Sequence, residues 1–241
     1  MLRVSFIGAG NVATRMAARL QEIGADIVQI CSRSGVPISE LNPDETDLVI
    51  VAISDDAIRP VLDSVEHAGN ALWVHTAGSV GIEVFDEKKF PRHGVLYPLQ
   101  TMLKDKEVDW NRVPLLVEGD PEVETIARKM SASVAHLDSD SRRRLHAAAV
   151  MCCNMVMYLW YCSEQIVENA GLNYDLLKPL MHMTLERALE IGPSKAMTGP
   201  AKRGDVHTIE KHIEALPDDI AETYRELSRQ MLAKFHPDLQ L

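Results

Sequence analysis

The residue types that could do chemistry fall into four groups. The first is Gly8-Ala9-Gly10-Asn11-Val12-Ala13, a G-x-G-x-x-A turn between an apolar run and a helical pattern. In that context the first glycine permits a tight turn, and the second lets the backbone around Gly10, Asn11 and Val12 approach a pyrophosphate. A small Ala13 lets helix and strand pack closely, and the helix N-terminus offers free N–H groups and a positive dipole end. The second group, Ser32-Arg33-Ser34, closes the next apolar run. A site selective for NAD places Asp or Glu there for the ribose 2′-hydroxyl. Two hydroxyls and a guanidinium suit a 2′-phosphate instead, so NADP(H) is the expected cofactor.

Ser54-Asp55-Asp56, His75-Thr76-Ala77-Gly78-Ser79 and Tyr97-Pro98-Leu99-Gln100-Thr101 form the third group, each at the end of an apolar run. Ser54, Asp55, Thr76 and Gly78 would line a ribose–nicotinamide path, since ligands of open parallel sheets sit at the carboxyl ends of strands. Asp55 or Asp56 could instead cap a helix, and His75 could be a structural histidine. The fourth group lies in the C-terminal half: His146, Asn154 and Thr198-Gly199-Pro200-Ala201-Lys202-Arg203-Gly204-Asp205. His146 suits acid–base work near neutral pH. Asn154 could hydrogen-bond a substrate, Arg203 could hold a carboxylate, and Thr198 stands in the same polar turn. The competing reading is structural: Gly-Pro and Gly-Asp punctuate loops, and Asp205 can cap a helix starting at Val206.

These residues must be positioned by elements. Short apolar runs at 3–7, 27–30, 48–53, 72–74, 95–97, 115–117 and 134–137 read as strands, with helical spacing at 12–20, 55–69 and 121–130. The alternation predicts a doubly wound parallel sheet. After Asp140 only helical patterns follow, at about 140–170, 173–192, 206–215 and 218–235. Two domains are expected, 1–138 for the nucleotide and 139–241, helical, for substrate and dimerisation. Leu145–Cys162 carries no Asp, Glu, Lys or Arg and approaches the ~18 apolar residues of a membrane span, but His146 and Asn154 interrupt it. A buried core helix is the expectation; being apolar all round, it would need cover from a partner subunit as well.

Composition excludes other classes. Thirty-five acidic against 25 basic residues leave a formal charge of −10, which disfavours nucleic acid as a partner. The four cysteines (Cys31, Cys152, Cys153, Cys162) match neither a disulfide framework nor a metal spacing. No metal is expected, and reduced thiols point to the cytoplasm. The apolar start is too short for a signal peptide core.

The stretches FIGAGNVA (6–13), VHTAGS (74–79), YPLQT (97–101), LHAAAV with Asn154, and TGPAKRGD (198–205) carry a resemblance. The chain resembles Rossmann-fold NADP oxidoreductases related to deazaflavin-dependent NADP reductases, pyrroline-5-carboxylate reductases and β-hydroxyacid dehydrogenases. Within them it is similar to a bacterial subfamily with an uncharacterised helical C-terminal domain, of the domain of unknown function 2520 type. The resemblance implies an abbreviated Rossmann domain followed by an all-α domain of the 6-phosphogluconate dehydrogenase C-terminal-like kind. It also implies NADP in the first domain, a homodimer built on the second, and hydride transfer with a small carbonyl or imine compound. Related β-hydroxyacid dehydrogenases place a catalytic lysine four residues before an asparagine; aligned on Asn154, that position is Val150. His146 is the nearest titratable replacement. In an uninterrupted α-helix it would lie about 80° from Asn154, on an adjoining face. The missing lysine leaves room for a non-catalytic NADP-binding sensor, or for a structural dimer with a vestigial site. Nothing here reads as a deazaflavin motif.

Length sharpens one point. With 138 residues for the nucleotide domain, residues 32–46, broken by Gly35, Pro37 and Pro43, are too short for the helix and strand that usually precede an LVIVAI-type strand. The adenosine end of the site is therefore expected to be weakened or rebuilt.

Overall fold

The computed structural model describes residues 1–241, which divide into two compact units, Met1–Cys152 and Cys153–Leu241. The first opens with β1 (Arg3–Ile7), α1 (Asn11–Glu22) and β2 (Asp26–Cys31), then β3 (Leu48–Val51), α2 (Asp55–Ser64), β4 (Leu72–His75) and β5 (His93–Pro98). It continues with β6 (Leu115–Gly119), α3 (Pro121–Met130), β7 (Val134–His136) and α4 (Ser139–Val150). The sheet order is β2-β1-β3-β4-β5-β6-β7. Its pairs are parallel except β5–β6, which run antiparallel, a departure from the all-parallel expectation.

β2 is the edge strand. Between it and β3 the chain makes only two short 3-10 turns, Ile38–Glu40 and Pro43–Glu45. A βα unit is thus missing beyond β2, as the short 32–46 segment suggested. From β1 the chain leaves to β2 on one side, and β3 pairs on the other. This strand-order reversal is where open α/β sheets form their crevice.

Alternation along the strands builds two cores. Leu48 and Ile50 of β3 face one layer with Phe6, Val74, Leu96, Met16 and Leu20 of α1, and Ile126 of α3. Val49 and Val51 face the other with Trp73, Phe85, Phe90, and Ile58 and Leu62 of α2. Both faces of the central strands are covered, which explains the unbroken LVIV run. α2 ends at Ser64 rather than at 69: Val65 turns extended and Gly69 takes φ +61°.

The second unit contains α5 (Val156–Asn169), α6 (Lys178–Ile191), α7 (Pro193–Ala196), α8 (Pro200–Arg203), α9 (Val206–Ala215) and α10 (Asp218–Phe235). Residues Met151–Met155 form a π-helical turn joining α4 to α5, and Asn154 lies in it. The angular count from His146 to Asn154, made for a regular α-helix, therefore does not apply, because a π turn advances less per residue. The unit's core is small, centred on Ala201, Ile209 and Leu232. The expected buried core helix is not buried by its own chain: Met151, Met155, Met157, Tyr158 and Tyr161 are exposed. Length and composition alone would let the helix Ser139–Asn169 cross a membrane.

Candidate functional site

The segments that follow β1, β2, β3 and β4, with Tyr97 of β5 and His146 of α4, line a cavity of about 850 Å³ at the carboxyl end of the sheet. Gly8 takes φ +116°, and a Cβ there would sit 2.1 Å from the Ala52 carbonyl oxygen, so only glycine lets β1 turn against β3. Gly10 is extended, with nothing within 4 Å of a Cβ position, so its backbone is open to approach. α1 has no side-chain cap and no acidic residue in its first turn. By contrast Asp120, Asp138 and Asp205 cap α3, α4 and α9 through their carboxylates. The one helix that opens on the glycine turn thus leaves its first amides to an anion from elsewhere, which fits a dinucleotide pyrophosphate.

Gly8, Gly10, Asn11 and Val12 line this cavity together with Ser32, Arg33, Ser54, Asp55, Thr76, Gly78 and His146. Ser34 does not line it; Gly35, Pro37 and Ile38 do, so the shortened loop supplies part of the wall. Asp55 is the sole acidic residue in the lining, and Arg33 is its arginine. Asp55 and Asp56 occupy the first turn of α2 after Ser54, so neither is the N-cap; Asp55 instead accepts from the Ser79 hydroxyl.

The far wall is made by Tyr97 and His146. Tyr97 Oη lies 2.9 Å from His146 Nδ1, with both residues half-buried. α4 is fixed there by its own first turns. The fully buried Arg142 pairs with Glu118 and donates to the Val80 carbonyl at 2.6 Å. Arg143 Nε donates to the Ser79 carbonyl at 3.0 Å. Three and four residues on, the same helix places His146 against Gly78. Beneath the loop, His75 is buried, and its Nδ1 accepts the Ala77 N–H at 3.2 Å. Burial, helped by the Arg142 charge, pushes its pKa down to about 3, so it stays neutral. His75 is the structural histidine of the two.

Asn154, Thr198 and Arg203 belong to the helical unit. Asn154 and Arg203 are exposed, and Thr198 lines a separate cavity of about 270 Å³ with Cys162, Tyr224 and Ser228. Much of the TGPAKRGD turn is used internally. Asp205 accepts from the Thr208 amide at 3.1 Å and its hydroxyl at 2.8 Å. Lys202 lies 3.5 Å from the Phe235 ring centroid, and its carbonyl accepts from His236 Nε2.

Residues 113–231 match the family model described as domain of unknown function DUF2520. A solved protein of Bacteroides fragilis, assigned as an NADP oxidoreductase, is 33% identical over 95% of this chain and 97% of its own, with a TM-score of 0.88. The chain belongs to this family of Rossmann-like NADP oxidoreductases with a DUF2520 C-terminal domain. A Thermotoga maritima protein at 23% identity (94% of this chain, 98% of that one, TM-score 0.67) shares the fold. So does a Myxococcus stipitatus imine reductase solved with NADP+, at 12% identity, 97% and 95% coverage, and a TM-score of 0.68. No curated protein matches.

Two contributors to this family member's site carried no assigned role in the sequence reading. Tyr97 stood in a marked strand-end cluster, and strand-end placement was its only signal. Arg142 was one of three consecutive arginines. Only the fold shows that its side chain turns inward to Glu118 while Arg144 stays exposed.

Proposed function

We propose that this chain is an NADP-dependent oxidoreductase that reduces a small carbonyl or imine compound. One observation carries the reading: the dinucleotide turn and a hydrogen-bonded His–Tyr pair face the same cavity. The α1 amides and Gly10 would hold the pyrophosphate. Ser32 and Arg33, with Ser34 just outside the lining, would take the 2′-phosphate. Ser54, Asp55, Thr76 and Gly78 would border the ribose–nicotinamide end. When bound, NADPH supplies a hydride. His146 supplies the proton that the product oxygen or nitrogen needs. Asn154, Thr198 and Arg203 are the helical unit's candidates for holding substrate. The exposed apolar helices of that unit support a homodimer formed through it, and four cysteines whose spacing matches no disulfide framework fit a cytoplasmic setting.

Equilibrium titration with NADPH and NADH tests the cofactor. Tighter NADPH binding that weakens in Arg33→Ala is expected, and binding of neither dinucleotide would sink the reading. NADPH oxidation is then followed across keto acids, aldehydes and cyclic imines. His146→Ala should lower turnover on the order of a hundredfold with NADPH affinity retained. An unchanged rate rejects the acid role. Val150, standing where related enzymes carry lysine, favours a second reading, an NADP-binding sensor. NADPH binding without oxidation across that panel would select it.

A further inference from the structure

We propose that Tyr97 is a positioning residue for His146, its phenol holding the imidazole in the tautomer that carries the proton on Nε2. Three elements meet at this pair: β5 brings Tyr97, α4 brings His146, and the loop after β4 brings Gly78. The rings sit edge-on, with centroids 5.7 Å apart and planes at 82°. A Cβ on Gly78 would lie 2.5 Å from His146 Nδ1 and 2.9 Å from the Tyr97 ring. The pair has room only because residue 78 lacks a side chain.

The direction of the bond follows from what else the phenol can reach. Tyr97 Oη has His146 Nδ1 as its protein partner. Were the ring to donate from Nδ1, the phenolic proton would point into the cavity without a protein acceptor. Burial raises the Tyr97 pKa, the Asp55 charge raises it further, and Arg142 opposes both, so the phenol keeps its proton at neutral pH. A protonated phenol donating to Nδ1 requires a neutral imidazole to carry its own proton on Nε2. When the imidazole gains a second proton, the same hydroxyl rotates and accepts the Nδ1–H. One partner therefore serves both charge states, and in each of them Nε2 carries a proton. When the imidazolium gives up the Nε2 proton the ring is left protonated on Nδ1, and it regains the acid form by taking a solvent proton at Nε2.

The relevance to turnover rests on the acid role of His146 proposed above; the tautomer does not. The test is nitrogen-15 NMR of the histidine rings in the NADP+-bound protein, at alkaline pH where imidazole is neutral. His146→Gln identifies the signals by their loss. The expected result is an acceptor-type shift at Nδ1 and a protonated-type shift at Nε2. Tyr97→Phe should abolish that pattern and give shifts averaged between tautomers. Gly78→Ala, which pushes the two rings apart from the loop side, should do the same. A protonated-type Nδ1 in the unaltered protein overturns the proposal without any variant, and unchanged shifts in Tyr97→Phe overturn it as well. If His146→Ala leaves turnover intact while the tautomer pattern is as expected, the acid role fails and the positioning role stands.

Discussion

In the α/β unit, Val49, Ile50, Val51, Trp73 and Val74 have no exposed surface; in the helical unit, Leu176 is 67% exposed and Leu189 is 79% exposed. Both units are comparably rich in apolar residues along their elements. What differs is whether the chain supplies the cover. The sheet is covered on both faces by its own helices, and its helix ends are pinned by buried polar groups such as Arg142 with Glu118. α6 presents Leu180 and Met183 on one side and Leu185 and Leu189 on the other, all exposed. Apolar side chains on two faces of one helix belong in an interior that this chain alone does not provide. The first unit closes its own core around a cavity; the second leaves its apolar faces exposed, which the proposed homodimer would cover.

The largest effect expected from that contrast is on assembly. Leu185→Glu combined with Leu189→Glu places two charges on one face of α6. Each leucine buried in an interface is worth about 1.5–3 kcal/mol, and a two-fold interface counts each substitution twice, roughly 6–12 kcal/mol in all. Sedimentation should show a dimer in the unaltered protein and a monomer in the variant, with NADPH binding by the α/β unit retained. A monomer in both would break the contrast at its second term.

A smaller loss is expected where the first unit is closed. Arg142→Met leaves Glu118 with a largely buried, unpaired charge and frees the Val80 carbonyl, a loss of about 3–5 kcal/mol by urea unfolding. Adding Glu118→Leu should recover most of it, because removing both partners of a buried pair is close to neutral. A single-variant loss under 1 kcal/mol, about that of an exposed ion pair, would show that Arg142 does not fasten α4 to the sheet.

The same contrast explains what could be read without coordinates. Periodicity reports which faces are apolar, so the strand runs, α1, α3 and the doubly wound sheet were all legible. The G-x-G-x-x-A turn was legible because Gly8 answers a local demand, a positive φ beside Ala52. The antiparallel β6 was not, since strand direction depends on the connection rather than on the strand's residues. The π turn at Met151–Met155 was hidden because its residues pass for ordinary helix. Tyr97 meets His146 across 49 positions, a separation that no local pattern encodes. Burial of Leu145–Cys162 was expected from its composition, and composition does not say whose surface does the burying.

The smallest effect separates the interior of the first unit from solvent through pH. His75 has its pKa depressed from the ordinary 6.5 to about 3 by burial and by Arg142. Its neutral form is the one that folds. Below about pH 6.5 the unfolded chain takes up a proton that the native state refuses, so stability falls with pH from there toward the folded value. The slope contributed by this one group approaches about 1.4 kcal/mol per pH unit. Urea unfolding between neutral and mildly acid pH should show that slope, and His75→Gln should flatten it while its amide oxygen keeps an acceptor near the Ala77 N–H. An equal slope in both proteins would mean that water or a local opening reaches His75, and that the end of β4 is less closed than its burial indicates.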